Sequence, residues 1–154
     1  MAAGPLDTRR PGQYRRPGTA PNETAVRGAL EAWNAGDLDG YLELYADRIR
    51  LHGYTLEPMD KTSVRGFYEL VLAAFDGPQL VFHEVFGEDE RLVIRFTMTG
   101  THRGEFLGVP PTGRPIALEG ITILHFENGR CVERWSSTDM LGLLVQLGAV
   151  PPPA

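Results

Sequence analysis

Two ionisable side chains near the end of the chain stand among apolar residues, where a pocket would change their chemistry. His125 and Asp139 lie in the stretch 113–148, which reads as a hairpin of two strands followed by a short apolar helix. Apolar surroundings disfavour the charged form of a carboxylate and therefore make it a stronger base. Such a carboxylate can remove a proton from a carbon next to a carbonyl, and a histidine can donate a hydrogen bond to the resulting enolate.

Each of these residues also has an ordinary structural interpretation. Asp139 directly precedes a helix predicted from about Met140 to Leu147, so it can equally be the N-cap of that helix. It can fill both roles only if one of its carboxylate oxygens stays free. His125 can equally be a hydrogen-bonded histidine of the core.

The hairpin between the two strands decides whether His125 and Asp139 share a face. Its Asn128-Gly129 pair fits either a two-residue type I′ turn or a three-residue loop with a glycine bulge. One residue of slip exchanges the two faces of a strand, and the two-residue register turns His125 away from Asp139. We expect the three-residue register, because it gathers both groups on one surface. That surface comprises Ile121, Ile123, His125, Trp135, Ser137 and Asp139.

Helices come first in the remaining sequence, and strands follow. Asn22, Asp37 and Asp60 each precede apolar residues at helical spacing, so each is expected to cap a helix. Strict alternation then predicts strands, most clearly from Arg91 to His102. This order indicates an α+β domain whose curved, mostly antiparallel sheet wraps around the N-terminal helices and encloses a cavity. The expected bounds are about 22–35, 37–45 and 60–76 for helices, and 48–54, 79–86 and 91–102 for strands.

The loop 103–113 carries more apolar residues than a solvated connection needs. Phe106, Leu107 and Val109 stand between turn-forming residues in the run RGEFLGVPPTG. We expect this loop to fold over the rim of the cavity as a lid. If the preceding strand persists to His102, that side chain faces the same interior as Met98.

Composition limits the partners and the place of action. The 154 residues suit one domain, expected at 22–150 between a disordered Arg/Pro/Gly-rich tail at 1–21 and a loose end at 151–154. A net charge of -5 argues against a nucleic-acid partner. The sequence has no apolar run long enough for a signal peptide or a membrane span. The single cysteine, Cys131, leaves no internal disulfide, so a reducing cytoplasm is the expected compartment.

No motif for a metal or a cofactor accompanies the candidate acid and base. None of the four histidines has the spacing of a helical ligand pair, and the sequence has no glycine-rich phosphate loop. Cys131 is expected to be an inert strand residue. The sequence therefore predicts neither a metal site nor a phosphate-binding site for a cofactor.

A family pattern runs through three segments, AWNAGDLDGYLELYADRI, THRGEFLGVPPTGR and HFENGRCVERWSSTDMLGLLVQLG. They resemble the SnoaL-like polyketide cyclases, or SnoaL-like ester cyclases, of the NTF2-like superfamily, over about residues 24–148. The resemblance implies a cone-shaped α+β barrel and a cofactor-free intramolecular aldol condensation of a polyketide ester. It also implies that Asp139 is the acid/base, because it matches the family's aspartate after the last strand's tryptophan. His125 matches a histidine of the preceding strand.

The substrate expected from this resemblance is a small hydrophobic molecule held inside the cone. The expected contacts are Trp33, Tyr45, His52, Phe67, His102, Phe106, Trp135 and Ser137. The aromatic members of this set can equally be ordinary core. Epoxide hydrolysis or isomerisation on the same fold is the alternative reaction, and a non-catalytic binding or dimerisation module is the alternative class.

A homodimer is also expected, because one face of an open curved sheet stays apolar and needs cover. The residues assigned to that face are Ile116, Leu118, Leu124 and Val132. Sedimentation at micromolar concentration distinguishes such a dimer from a monomer of 17.0 kDa.

Overall fold

One five-stranded sheet and four helices make up residues 19–154, the part of the chain that the computed structural model describes. The helices are α1 (Thr19–Asn34), α2 (Leu38–Leu42), α3 (Lys61–Ala74) and α4 (Met140–Gln146). The strands are β1 (Tyr45–His52), β2 (Phe75–Glu88), β3 (Arg91–His102), β4 (Pro115–Glu127) and β5 (Arg130–Thr138). The tail expected at 1–21 lies, up to residue 18, outside the described residues.

The strands follow the order β1-β5-β4-β3-β2 across the sheet. β1 pairs in parallel with β5, and the other neighbouring strands pair antiparallel. The sheet curves around the helices, with one core between them. The predicted α+β domain with a mostly antiparallel sheet is therefore confirmed. No helix between residues 19 and 154 is long and apolar enough to cross a membrane.

Alternation along β4 separates an inner face of the sheet from an outer face. Leu118 and Leu124 are buried against the helices, whereas Ile121 and Ile123 are exposed on the other side. The residues assigned to a dimer face, Ile116, Leu118, Leu124 and Val132, are all buried in the core. That assignment is wrong, because alternation reveals two faces without showing which of them meets the helices.

Aspartates cap α2, α3 and α4. The side chains of Asp37, Asp60 and Asp139 accept hydrogen bonds from the backbone N–H groups of Gly40, Ser63 and Gly142 at 2.9, 2.8 and 2.8 Å.

The cap predicted at Asn22 is wrong, since α1 already begins at Thr19. Proline is tolerated in the first turn of a helix, so Pro21 does not delay the start. Asn22 is buried within α1, and its Nδ2 donates to Glu90 Oε2 at 3.3 Å.

Two strands begin earlier than the sequence predicts. β1 begins at Tyr45 rather than at residue 48, and β2 begins at Phe75, directly after α3. The Gly77-Pro78 pair, which predicted a break, forms an irregularity in the ladder between β2 and β3 instead. β2 lies at the edge of the sheet, where a proline costs no ladder hydrogen bond.

The closing hairpin has a two-residue turn followed by a bulge. The residues on either side of Asn128-Gly129 pair directly, and φ angles of 50° and 80° suit a type I′ turn. The predicted three-residue register is therefore wrong. A bulge at Val132 then shifts the ladder by one residue, so that Ile123 pairs with Trp135. Trp135 consequently shares a face with Ile123 and His125 as expected, but that face is the outer one.

Candidate functional site

A largely enclosed cavity of about 60 Å³ lies between the inner face of the sheet and the helices. Its walls are mainly apolar, and α1, α3, α4, the sheet and the loop 103–113 all contribute to them. The lining includes Trp33, Phe67, Phe96, Phe106, Met140 and Leu143. Ligand cavities usually measure roughly 300–1,000 Å³. A substrate of polyketide size therefore fits only if the walls of the cavity move apart.

Arg134 lies at the polar end of the cavity. It projects inward from β5, and the residue is only 7% exposed. Its Nε donates to Thr122 Oγ1 at 2.8 Å, and its Nη1 donates to Tyr41 Oη at 2.9 Å and to Tyr45 Oη. The hydroxyls of Tyr45 and Tyr68 are 2.9 Å apart. Arg134, Thr122, Tyr41, Tyr45 and Tyr68 are called the arginine cluster below.

Five elements bring the arginine cluster together. The neighbouring strands β5 and β4 supply the arginine and the threonine, while α2, β1 and α3 supply one tyrosine each. Trp33 of α1 packs edge-on against Tyr41 and Tyr68, with ring centroids 5.2 and 5.5 Å away. Such edge-to-face contacts fix the orientation of the rings around the guanidinium.

The buried guanidinium separates the acidities of the three tyrosines. Burial raises the pKa of Tyr41, but attraction to Arg134 and hydrogen bonds with Tyr45 and Tyr68 lower it more, so the pKa ends below its ordinary value. Burial raises the pKa values of Tyr45 and Tyr68 well above their usual range, and Arg134 offsets this only in part. Tyr41 is therefore the member of the cluster that loses its proton most readily.

Two buried donors have no hydrogen-bond partner among the described residues, Trp33 Nε1 and His102 Nε2. His102 Nδ1 accepts from the backbone N–H of Thr112 at 3.2 Å, so the proton of the ring is on Nε2. The ring is fully buried and packs against Phe75, a cavity-lining residue, with centroids 5.6 Å apart. His102 thus faces the same interior as Met98, as predicted.

His125 and Asp139 lie outside this cavity and far from one another. His125 is half-buried on the outer face, and Asp139 is exposed where β5 meets α4. The backbone N–H of Asp139 donates to the Glu119 carbonyl at 2.9 Å. Glu119 precedes His125 by six residues on β4, which is roughly 20 Å along a strand. The expectation that the two side chains look into one cavity is wrong, because the odd-numbered residues of β4 face outward.

The other expected substrate contacts divide between the cavity and the outer face. Trp33, Phe67 and Phe106 line the cavity, so the loop 103–113 does reach its wall. Tyr45 reaches the cavity's polar end through its hydrogen bond with Arg134.

His52, Trp135 and Ser137 are on the outer side of the sheet. The His52 ring stacks on Trp135 with centroids 5.4 Å apart and planes 4° from parallel. His52 Nε2 lies 2.8 Å from Glu133 Oε1. These residues are outside because the bulge places Trp135 and Ser137 opposite the outward Ile123 and Ile121.

A shallow groove beside Asp139 adjoins the cavity through Phe96. The polar lining of the groove comprises Arg95, Glu119, Ser137, Thr138 and Asp139. Phe96 lines both the groove and the cavity. A Cβ atom on Gly120 would lie 2.6 Å from Phe96 Cζ, so the glycine makes room for the ring. The Phe96 ring therefore forms part of the wall between Asp139 and the interior.

The sequence matches the family model for SnoaL-like polyketide cyclases over residues 23–147. The chain belongs to the SnoaL-like polyketide cyclase family. A curated relative is the aklanonic acid methyl ester cyclase AcmA of Streptomyces galilaeus. It is 33% identical over 132 residues, which cover 80% of this chain and 88% of AcmA.

Solved structures of SnoaL-like proteins have the same fold. AclR of Streptomyces galilaeus, described as a candidate hydroxylase, is 31% identical with a TM-score of 0.81, over 88% of this chain and 86% of AclR. IdmH of Streptomyces antibioticus, a candidate polyketide cyclase, is 30% identical with a TM-score of 0.72, over 82% of this chain and 98% of IdmH. The family inferred from the three sequence segments is confirmed, although the differing descriptions of these relatives indicate that the fold hosts more than one reaction.

The SnoaL-like chain offers no cluster of metal ligands within residues 19–154, where no three His, Cys, Asp or Glu side chains converge. Its cysteine, Cys131, is fully buried in β5. Burial raises the pKa of the thiol to about 12, so the thiolate is not populated at neutral pH.

Sequence reasoning missed the arginine cluster of this SnoaL-like chain. The available signal was the alternation of residues along β5, which places Arg134 on the same, inward face as Ser136 and Thr138. Charged residues rarely occupy the core face of a strand unless they have a partner or a task. In the sequence, Tyr41 and Tyr45 fall in the apolar stripe of one expected helix and Tyr68 falls in that of another. Their approach to the guanidinium is a tertiary contact.

Proposed function

We propose that this protein is a cofactor-free cyclase that closes a ring in a small hydrophobic, polyketide-derived ester. The observation that carries the proposal is the apolar cavity, which ends in hydrogen-bond donors able to hold a carbonyl oxygen. AcmA, at 33% identity, is a cyclase of aklanonic acid methyl ester. That ester is therefore the first substrate to test.

The proposed reaction needs a base and a place for developing negative charge. The base removes a proton from a carbon next to a carbonyl, and the remaining electron pair forms an enolate. The enolate carbon attacks a second carbonyl of the same molecule, which forms the new C–C bond. The π electrons of the attacked carbonyl move to its oxygen, and the resulting alkoxide takes up the proton that the base removed. A cavity that holds the two carbons in contact can lower the barrier by up to roughly 10 kcal/mol.

Asp139 is the proposed acid/base, because it matches the family's aspartate. Its Oδ1 caps α4, and no hydrogen bond among the described residues uses Oδ2. One oxygen is thus free to take a proton while the other holds the helix. The Asp139 groove and the cavity share Phe96, so contact with a substrate inside requires that ring to move. His125 has no part in this step, because roughly 20 Å of strand separates it from Asp139.

Asp139→Asn tests this role. Asparagine keeps the capping oxygen but cannot take up the proton, so ring closure of aklanonic acid methyl ester should slow by about 10²–10⁴-fold. Asp60→Asn makes the same exchange at the cap of α3 and serves as the matched control, which should keep the wild-type rate. If Asp139→Asn closes the ring as fast as Asp60→Asn and the wild type do, Asp139 is not the acid/base.

A ligand-binding protein without catalysis is the second candidate. The observation that favours it is that the cavity lining, within the described residues, includes neither a carboxylate nor a histidine. Trp33 lines the cavity, so its fluorescence should report an occupant. Quenching by the ester without any ring closure would support this candidate, whereas turnover would contradict it.

The apolar outer face is the proposed interface of a homodimer. Ile121, Ile123 and Trp135 are 51, 41 and 39% exposed there, on neighbouring strands. Adjacent exposed apolar side chains are typical of an interaction surface. Sedimentation equilibrium should give twice 17.0 kDa at micromolar concentration, and Ile123→Lys should give the monomer. A wild-type mass of 17.0 kDa would contradict the dimer.

The proposed compartment is the cytoplasm. Cys131 is the single cysteine of the chain, and a lone buried thiol needs no oxidising environment. Fractionation of producing cells should recover the protein with cytoplasmic markers, and recovery with exported proteins would contradict this location.

A further inference from the structure

The positive charge of Arg134 is buried without a carboxylate partner. Its hydrogen bonds go to the hydroxyls of threonine and tyrosine side chains. No ion pair between described residues includes it. An unpaired buried charge is costly, and proteins normally neutralise it with a carboxylate or a ligand. An anionic group in the cavity would supply the missing negative charge.

The free part of the guanidinium suits one oxygen atom rather than a carboxylate. Nε is occupied by Thr122, and Nη1 is occupied by the tyrosine hydroxyls. No hydrogen bond among the described residues uses Nη2. A carboxylate pairs best with arginine through two parallel N–H groups on neighbouring nitrogens. That fork is blocked here, which leaves a site for a single anionic oxygen.

We propose that Arg134 Nη2 and the Tyr41 hydroxyl together bind the single anionic oxygen of an enolate or phenolate in the cavity. The inference deepens the proposed function and rests on it in one respect, because the enolate of the ring closure is the natural occupant. The binding of an anionic oxygen itself can be measured without any turnover.

Tyr41 suits this task because its oxygen already accepts from Arg134. Its own proton therefore points away from the guanidinium, and a hydroxyl that accepts from a cation is a stronger donor. The pKa of Tyr41 lies below its ordinary value, in keeping with an environment that favours negative charge. The unpartnered Nε1 of Trp33, in the same cavity wall, can serve a second polar atom of the ligand.

Single-ring probes test the site, because the cavity measures about 60 Å³. Wild-type protein is titrated calorimetrically with para-nitrophenolate, at a pH where the phenol is ionised, and with its neutral isostere para-nitroanisole. Hydrogen bonds to a charged group contribute about 1.5–3 kcal/mol, so the phenolate should bind at least about tenfold more tightly. Benzoate should gain less than about threefold over methyl benzoate, because the bidentate fork is occupied.

Two variants assign the preference to the named groups. Arg134→Met keeps much of the apolar stem and should abolish the preference for the phenolate, leaving para-nitroanisole binding within about threefold of wild type. Arg65→Met removes an exposed arginine of α3 and should leave the preference unchanged. Tyr41→Phe keeps the guanidinium and should weaken phenolate binding by about 2–10-fold. This second variant retains the test if Arg134→Met does not fold.

Equal affinity of wild type for phenolate and anisole, including no measurable binding of either, overturns the inference. A preference that survives in Arg134→Met overturns it as well. An equally large preference for benzoate contradicts the single-oxygen geometry. If the preference depends on Arg134 but the protein closes no ring in the ester, this inference stands and the proposed reaction fails.

Discussion

Arg134 Nη1 lies 2.9 Å from the hydroxyl of Tyr41, inside a cavity whose walls are otherwise mainly apolar. The arginine comes from the last strand and the tyrosine from the second helix, 93 residues apart in the sequence. A fixed charge in apolar surroundings acts strongly on any group that develops negative charge beside it. Its effect on acidity can be measured in the protein's own side chains.

Tyr41 should ionise before Tyr45 and Tyr68. Arg134 and the neighbouring hydroxyls hold the pKa of Tyr41 below its ordinary value against the effect of burial, whereas burial raises the other two. An absorbance titration of tyrosinate should contain a phase below about pH 10, the ordinary value for tyrosine. Tyr41→Phe should remove this phase. If Tyr68→Phe removes it instead, the order of acidities is wrong.

The fold should lose stability in alkali through Cys131. Burial raises its pKa from 9.0 to about 12 in the folded protein. The stabilisation is therefore fully present below pH 9 and is lost as the pH rises toward 12, because only the unfolded thiol ionises in that window. At pH 11 the loss from this group should be roughly 3 kcal/mol.

Urea unfolding at pH 8 and pH 11 measures this loss. Cys131→Ala should be less stable than wild type at pH 8, because it loses buried volume. The decline in its free energy of unfolding between the two pH values should be smaller than the wild-type decline. Parallel declines would show that the thiol does not titrate as stated.

Gly120→Ala should destabilise the protein by about 1–3 kcal/mol. The new methyl group would meet Phe96 Cζ at 2.6 Å and Thr138 Cγ2 at 2.9 Å, so the ring in the wall of the cavity would have to move. Gly28→Ala is the matched control, because a Cβ there, within α1, meets nothing within 4 Å. Alanine favours helix, so the control should gain up to about 1 kcal/mol. Urea unfolding of both variants checks the difference, and equal effects would contradict the packing of Phe96 on Gly120.

Local signals in the sequence predicted much of this fold. Aspartates before apolar helical stripes mark real caps at Asp37 and Asp60, because capping involves atoms only a few residues apart. The strand from Arg91 to His102 was predicted with its observed bounds, since alternation over twelve residues is hard to mistake. The resemblance of the three family segments then predicted that these elements form a cone-shaped barrel.

Contacts between distant elements account for what the sequence could not predict. The Asn128-Gly129 pair marks the place of the turn, but it does not reveal the bulge at Val132, which shifts the pairing of β4 with β5 by one residue. Alternation in β4 divides His125 from Leu124 without revealing which of them faces the helices. Arg134 donates hydrogen bonds to tyrosines of α2, β1 and α3. The spacing of residues within β5 cannot predict these partners. The interior chemistry therefore became visible only in three dimensions.

The rate of ring closure in Arg134→Met is the most direct measurement of the role of the cavity. With aklanonic acid methyl ester as substrate, and with folding checked by circular dichroism, the rate should fall by about 10²–10³-fold, the usual effect of removing one donor to a developing oxyanion. Arg65→Met should keep the wild-type rate. Equal, undiminished rates in both variants would contradict a catalytic site around Arg134 and Tyr41.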